Sequence, residues 1–392
     1  MNITITPTKL KGVITPPPSK SYSHRALIAA ALAGAGSELT NLADSKDIAA
    51  TRRCLEALAA PGNELPLLDC GESGSTLRFL IPVALALRGG ARFTGQGRLM
   101  ERPQKPYFDL FDEKDIFYEQ KDGVLTVKGA LTPGEYRLPG DVSSQFFTGL
   151  LYALPLLNEG TSQIILTSPL ESRAYVDMTV EVMEHFGVQV EETSTGWTVP
   201  GGQSYRPNVL TVEADWSQAG FFYAALGLGN DLDIRGMNPD STQGDRIIVP
   251  YYEKLARDGD VELDVSQCPD LVPPLTVYAA VRTGTTRIVN AARLRIKESD
   301  RLATVTATLN ALGANIEEHP DSLTIHGVDA LSGGVSVDCC NDHRIAMMAA
   351  VAATRCKEPV TLLGAQCVDK SYPTFWKDYE ALGGQIVRRE EP

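Results

Sequence analysis

One kind of segment recurs along this chain and constrains its fold more than any other feature: a short polar cluster containing Ser, Asp or Asn that opens directly into an Ala/Leu-rich helix. The first half has Ser19-Lys20-Ser21-Tyr22-Ser23-His24-Arg25 leading into 26–32, Glu72-Ser73-Gly74-Ser75-Thr76-Leu77-Arg78 into 79–87, and Val142-Ser143-Ser144-Gln145 into 146–157. The second half has Asp215-Trp216-Ser217-Gln218 into 221–228, Pro269-Asp270-Leu271-Val272 into 275–281, and Asn341-Asp342-His343-Arg344 into 345–353. Starts at Ser21, Ser73 and Ser143 are spaced by about 52 and 70 residues, and those at Trp216, Asp270 and Asp342 by about 54 and 72. The shared rhythm predicts two duplicated domains of three units each.

A second, amphipathic helix follows the first in each unit, over 44–60, 175–186, 244–255, 299–312 and 371–382, with a short acidic copy at 107–115. Most are followed by a glycine and a β-rich stretch, such as Gly187-Val188-Gln189-Val190 or Gly313-Ala314-Asn315-Ile316. The fold class is therefore α/β, with two similar domains of strand–helix–strand–helix–strand–strand units. The first helices, apolar nearly all round, belong inside and the amphipathic ones outside. If the inner helices run parallel, three N-termini per domain converge on one face, and two such faces suit a small, strongly anionic ligand.

With 392 residues, 43% of them hydrophobic, the chain can bury two cores. A formal net charge of −13 argues against a nucleic-acid partner, so any anion site is a local basic pocket in an acidic protein. The first ten residues show no signal pattern and no apolar run approaches a membrane span, so the expected location is the cytoplasm. Seven scattered cysteines form no CxxC pair, which predicts reduced thiols and no metal site. Neither GxGxxG after a strand nor GxxxxGK[ST] is present.

The densest basic stretch is Arg293-Leu294-Arg295-Ile296-Lys297-Glu298-Ser299-Asp300-Arg301. Alternation of cations with Leu294 and Ile296 predicts an extended strand with three cations on one face. Ser299 or Asp300 is placed to cap a helix carrying Leu302, Val305, Leu309 and Leu312, ended by Gly313. Glu298, a carboxylate among cations, reads in isolation as an ion-pair strut, with an acid/base role as the alternative. Lys20 and Arg25 beside a helix start are electrostatically out of place unless they serve an anion. Asp270, at a helix start with no adjoining cation, is a candidate base.

Seven motifs in order, SKSYSHRAL at 19–27, GESGSTLRFL at 71–80, RLMERP at 98–103, DVSSQF at 141–146, RIKESDRL at 295–302, NDHRIAM at 341–347 and DKSYPTF at 369–375, make the chain resemble the 5-enolpyruvylshikimate-3-phosphate synthase family over nearly its whole length. The resemblance implies the enolpyruvyl transferase fold, an inside-out α/β barrel of three βαβαββ units in each domain. It places one domain at 19–213 and the other at 1–18 plus 214–392, with the active site in the cleft between them. It implies transfer of the enolpyruvyl group of phosphoenolpyruvate to the 5-hydroxyl of 3-phosphoshikimate with release of phosphate, no cofactor, no metal, and a monomer. By the same resemblance Asp270 is the base toward the hydroxyl, Glu298 gives and removes the methylene proton, and Lys20 touches both substrates. Ser21, Arg25, Ser143, Ser144, Gln145, Ser172, Asp270 and Lys297 fall on the 3-phosphoshikimate side. Gly74, Arg102, Gln145, Arg301, Arg344 and Lys370 fall on the phosphoenolpyruvate side.

Glu72 and Arg293 depart from the family pattern, standing where many and some members respectively have Asn. A related enolpyruvyl transferase, acting on UDP-N-acetylglucosamine, carries a reactive Cys in a loop that corresponds to 95–103 here, and that loop has none. A non-catalytic phosphosugar-binding protein would keep the cations and need neither Asp270 nor Glu298.

Overall fold

The computed structural model describes residues 1–389. The chain divides into two compact units, Pro18–Glu213 and Met1–Pro17 with Ala214–Pro392, here the N-domain and the C-domain. In chain order the elements are β1 (Asn2–Thr6), β2 (Lys11–Ile14), α1 (Lys20–Ala33), β3 (Glu38–Thr40), α2 (Lys46–Ala59), β4 (Leu67–Asp69), α3 (Gly74–Arg88), β5 (Gly90–Thr94), α4 (Lys105–Glu113), β6 (Phe117–Lys121) and β7 (Val124–Lys128). They continue with β8 (Glu135–Leu138), α5 (Gln145–Ala153), β9 (Thr161–Leu166), α6 (Arg173–His185), β10 (Glu191–Thr193), β11 (Gly196–Pro200) and β12 (Val209–Thr211). The rest of the C-domain has α7 (Trp216–Gly227), β13 (Asp231–Ile234), α8 (Ile248–Leu255), β14 (Val261–Asp264), α9 (Val272–Ala279), β15 (Thr285–Val289), α10 (Arg301–Ala311), β16 (Asn315–Glu318) and β17 (Leu323–His326). It closes with β18 (Ser336–Asp338), α11 (His343–Ala353), β19 (Val360–Leu363), α12 (Phe375–Ala381) and β20 (Gln385–Arg389).

Four units share one topology. In each, a parallel pair flanks a helix and the last two strands add antiparallel, giving the orders β4-β5-β7-β6, β8-β9-β11-β10, β14-β15-β17-β16 and β18-β19-β1-β20. The last of these takes its final strand from the chain's start, β1 lying between β19 and β20. The first unit of each domain is reduced to two parallel strands, and their leading strands are exchanged. β2 precedes α1 in sequence but pairs with β13 of the C-domain, while β12 precedes α7 but pairs with β3 of the N-domain. On the N-domain side of the crossings the Ser19 N–H donates to the Glu213 carbonyl; on the C-domain side the Asp215 N–H donates to the Pro17 carbonyl, both at 2.8 Å.

The helices that begin each unit are the interior ones. α1, α3 and α5 build one core with Phe79, Leu80, Phe146, Phe147 and Leu150 at most 1% exposed. α7, α9 and α11 build a separate core in the C-domain, and every residue of α11 is buried. Small alanines along α11 let neighbours approach on all sides, which is why a helix with no polar face forms here.

Two expectations are corrected. Residues 292–296 form a 3₁₀ turn, Ala292–Ile296, and not a strand. Leu294 is fully buried with its N–H on the Ala291 carbonyl, while Arg293 and Arg295 reach different acceptors, so alternation here does not mean a shared face. The stretch Val188-Gln189-Val190 is not a strand either, because the Gln203 side-chain amide takes both the N–H and the C=O of Gln189, at 2.8 Å each. Asp300 proves to be the cap of α10, accepting from the Ala303 N–H at 3.2 Å. Gly313 ends that segment with φ +102°, where a side chain would be strained.

Candidate active site

In the N-domain the polar residues gather at helix starts. Ser19 caps α1 by accepting from the Tyr22 N–H, which puts Lys20 in the first turn. The misplaced cation at a positive helix end is met by Asp47 in the first turn of α2, 2.8 Å from Lys20 Nζ. Arg25, one turn on, is 2% exposed. Its guanidinium donates to the Ser21 carbonyl (2.8 Å), the Thr179 hydroxyl (2.9 Å), the Thr148 hydroxyl (3.4 Å) and the Tyr175 carbonyl (2.7 Å), and lies 5.2 Å from the Phe79 ring centroid. Those partners are neutral, so the buried charge is not cancelled.

A chain of bonds ties α1, α2 and α3 together: His24 Nδ1 to Thr51 Oγ1, Thr51 Oγ1 to Thr76 Oγ1, and the Thr76 hydroxyl donating to Ser73 Oγ, each 2.7 Å. Burial, then Lys20 and Arg25, hold the His24 pKa well below its usual value, so this imidazole is neutral.

Gly74 is the first residue of α3, and Arg102 lies flat against it. A Cβ on Gly74 would sit 2.5 Å from Arg102 Nη1 and 3.0 Å from its central carbon. Among the described residues the Arg102 guanidinium meets no acceptor, and its Nε is buried. Gln145, first in α5, is oriented at both ends: its Oε1 accepts from Arg78 (2.8 Å) and its amide donates to Ser75 Oγ (3.0 Å). Ser143 Oγ accepts from the Gln145 N–H, and Ser144 beside it is buried. Ser172, at the start of α6, is buried in the left-handed region at φ +54°. A β-carbon there is costly, and such strain gathers where a side chain must be aimed. Glu72 packs against Gly97, whose Cβ would stand 2.6 Å from Glu72 Oε2.

In the C-domain the centre is Arg301, the first residue of α10, 1% exposed. Its guanidinium meets three carboxylates: Asp270 at 3.0 Å, Glu298 at 2.5 Å and Asp342 at 3.0 Å. Asp342 is fully buried; it caps α11 by accepting from the Arg344 N–H and also takes the Ser299 hydroxyl at 2.9 Å. Asp270, in the 3₁₀ turn Pro269–Leu271 before α9, is held on its other oxygen by Arg344 Nη2 at 2.8 Å. Burial acts to raise its pKa, but Arg344, Lys297 and Arg301 together outweigh it and hold the carboxyl well below its usual range.

Lys297 is half-buried in extended backbone, its pKa pushed down to about 8, chiefly by burial and against the raising pull of Asp270. Lys370, at the end of the 3₁₀ helix Ala365–Lys370, is buried and donates to the Asn341 carbonyl at 2.6 Å. Cys340 and Asn341 both sit at φ +51°, a strained two-residue turn that presents that carbonyl and sets up the Asp342 cap. Arg293 is spent on the Ser266 carbonyl (2.6 Å), and Arg295 on Asp300, Glu318 and two carbonyls.

The structure thus gathers Lys20, Ser21, Arg25, Gly74, Arg102, Ser143, Ser144, Gln145 and Ser172 in the N-domain, and Asp270, Lys297, Glu298, Arg301, Arg344 and Lys370 in the C-domain. Sequence reasoning gave no task to Asp47, Arg78 or Asp342, although Asp342 stood in the polar cluster that opens the helix at 345–353. Among the described residues no group of three or more His, Cys, Asp or Glu side chains is arranged to hold a metal, and no helix is long and apolar enough to cross a membrane.

Carboxylates gripped by guanidinium groups in the C-domain, and an unengaged guanidinium over a helix start in the N-domain, are carried on repeated α/β units whose class is that of the enolpyruvyl transferases. The chain belongs to the EPSP synthase (3-phosphoshikimate 1-carboxyvinyltransferase) family, whose sequence profile matches residues 5–379. It is 45% identical to the 3-phosphoshikimate 1-carboxyvinyltransferase of Clostridium kluyveri over 98% of both chains, and 41% identical to that of Clostridioides difficile, again over 98% of both. Its fold matches EPSP synthase from Acinetobacter baumannii with a TM-score of 0.79 at 23% identity, covering 100% of both chains. It also matches the enolpyruvyl transferase NikO from Streptomyces tendae with a TM-score of 0.77 at 19% identity, covering 100% of this chain and 99% of that one.

Proposed function

We propose that this protein transfers the 1-carboxyvinyl group of phosphoenolpyruvate to the 5-hydroxyl of 3-phosphoshikimate, releasing phosphate, as a step in aromatic amino acid biosynthesis. The observation that carries the reading is the pairing of two carboxylates of opposed duty, Asp270 and Glu298, on one guanidinium, Arg301. A binding protein for phosphosugars needs the cations but gains nothing from that pair.

In the proposed reaction Asp270 accepts the hydroxyl proton as the oxygen attacks C2 of the enol, while Glu298 gives a proton to the methylene carbon. The resulting tetrahedral intermediate has a methyl group and still carries its phosphate. Glu298 then takes a proton back from the methyl group, the C–O bond to phosphorus-bearing oxygen breaks, and the proton held by Asp270 leaves with the phosphate. Arg301 and Arg344 keep Asp270 ionised and so poor as a base; anions that draw on Arg344 and Lys297 raise its proton affinity when the substrates are in place. Arg102, lying on Gly74 at the start of α3, and Lys370 suit the phosphoenolpyruvate charges; Lys20, Ser21, Ser143, Ser144, Gln145 and Ser172 suit 3-phosphoshikimate, with Arg25 supplying positive charge from beneath. In this reading one chain supplies every residue assigned to the reaction, and the enzyme acts as a monomer in the cytoplasm. The test is phosphate release from phosphoenolpyruvate by the purified protein. It occurs only when 3-phosphoshikimate is present; release without it, or none with it, overturns the assignment.

A further inference from the structure

The hydroxyl chain that joins α1, α2 and α3 has no task in the proposed reaction, yet its direction is fixed by its far end. The Thr76 hydroxyl donates to Ser73 Oγ at 2.7 Å, and the Thr76 N–H reaches the same oxygen at 3.1 Å. Thr76 has no second hydroxyl hydrogen, so at the 2.7 Å contact between Thr51 and Thr76 it is Thr51 that donates. Turned instead to the Asp47 carbonyl, 3.4 Å away, the Thr51 hydroxyl would leave two oxygens facing each other with no hydrogen between them. Thr51 therefore has nothing left to give, and His24 Nδ1 carries the proton in the 2.7 Å bond between them. Because this imidazole is neutral, Nε2 is bare; it is buried and meets no partner among the described residues. All four side chains are at most 1% exposed, so a broken link is costly.

We infer that His24 is a positioning residue for the phosphoenolpyruvate end of the site: as the donor at the head of the chain it holds the Ser73 cap, and through it the Gly74 backbone against which Arg102 lies. The inference rests on the proposed function. Arg102 is so close that a Cβ on Gly74 would stand 2.5 Å from its Nη1, so a small shift of this helix start displaces the guanidinium. Without a donor at its head the chain can reverse. Thr51 then turns to the Asp47 carbonyl, Thr76 turns to Thr51, and Ser73 loses the shorter of its two donors. The start of α1 is affected less, because Arg25 anchors that helix separately to Thr148, Thr179 and Tyr175, and Lys20 keeps its pair with Asp47.

The experiment compares KM for each substrate in wild type, T51V, T76V, H24L and H24N. Val keeps the branched shape of Thr without the hydroxyl, and Asn offers an amide N–H in place of the Nδ1–H of His24. T51V, T76V and H24L raise KM for phosphoenolpyruvate about three- to tenfold and leave that for 3-phosphoshikimate in place, while H24N stays within about twofold of wild type for both. A second readout needs no activity. Long-range proton–nitrogen NMR spectra of the imidazoles, with the His24 signals recognised by their loss in H24N, show the wild-type proton on Nδ1 and a bare Nε2. A proton on Nε2 instead would run the chain the other way and overturns the inference. So do KM values that rise equally for both substrates or for neither, and an H24N variant as impaired as H24L; these outcomes leave the proposed function standing. Absence of 3-phosphoshikimate-dependent phosphate release from wild type overturns the function and this inference together.

Discussion

At the scale of single residues, Glu298 is a strut and, in the proposed reaction, also a reagent. It is one of three carboxylates that hold the Arg301 guanidinium, so removing its charge leaves Asp270 and Asp342 in place. Glu298→Gln keeps 3-phosphoshikimate affinity, measured by calorimetry, and lowers kcat by roughly two or more orders of magnitude; wild-type turnover would sink the acid/base role. Gly74 has a different sensitivity. The methyl group of Gly74→Ala would fall 2.5 Å from Arg102 Nη1, so the guanidinium must move off the helix start. KM for phosphoenolpyruvate then rises about tenfold while that for 3-phosphoshikimate stays put, and equal values for both substrates in mutant and wild type would refute the contact. Residue identities at these positions were legible in the sequence because each sits in a compact motif. Their partners were not: nothing near Lys20 announces Asp47, and nothing near Asp270 announces Arg301 or Arg344, since those meetings are made by the packing of separate helices.

At the scale of elements, the six interior helices and the outer helices were legible, because caps and apolar periodicity are local. The stretch before α10 shows where local pattern fails. Arg293, Arg295 and Lys297 alternate with apolar residues as in a strand, yet distant carbonyls at Ser266, His319 and Pro320 capture the arginines and the backbone tightens into a 3₁₀ turn. The exchange of β2 and β12 between domains was equally hidden, since strand pairing leaves no mark in a short apolar segment. Asp300 links this turn to the helix that carries Arg301: it caps α10 and pairs with Arg295 at 3.0 Å. Asp300→Ala lowers the stability of the C-domain by about 1 kcal/mol, the usual worth of a cap, read from the denaturant midpoint; an unchanged midpoint would show that the cap is replaced by water.

At the scale of the whole molecule, two domains have separate cores, and each carries residues assigned to the proposed reaction. Calorimetry without substrates resolves two unfolding transitions. Adding 3-phosphoshikimate with phosphoenolpyruvate raises both, because in the proposed reaction each domain supplies residues to the substrates; a shift in only one would confine binding to that domain. The strand order has a consequence for how the protein is made. β1 is a central strand of the last sheet, and its Thr4 hydroxyl bonds Thr361, 357 residues later in the chain. A ribosome adding roughly 5–20 residues per second takes on the order of 20–70 s to cover that distance. The contiguous N-domain can fold in that interval, while β1 must wait, unpaired, for β19 and β20.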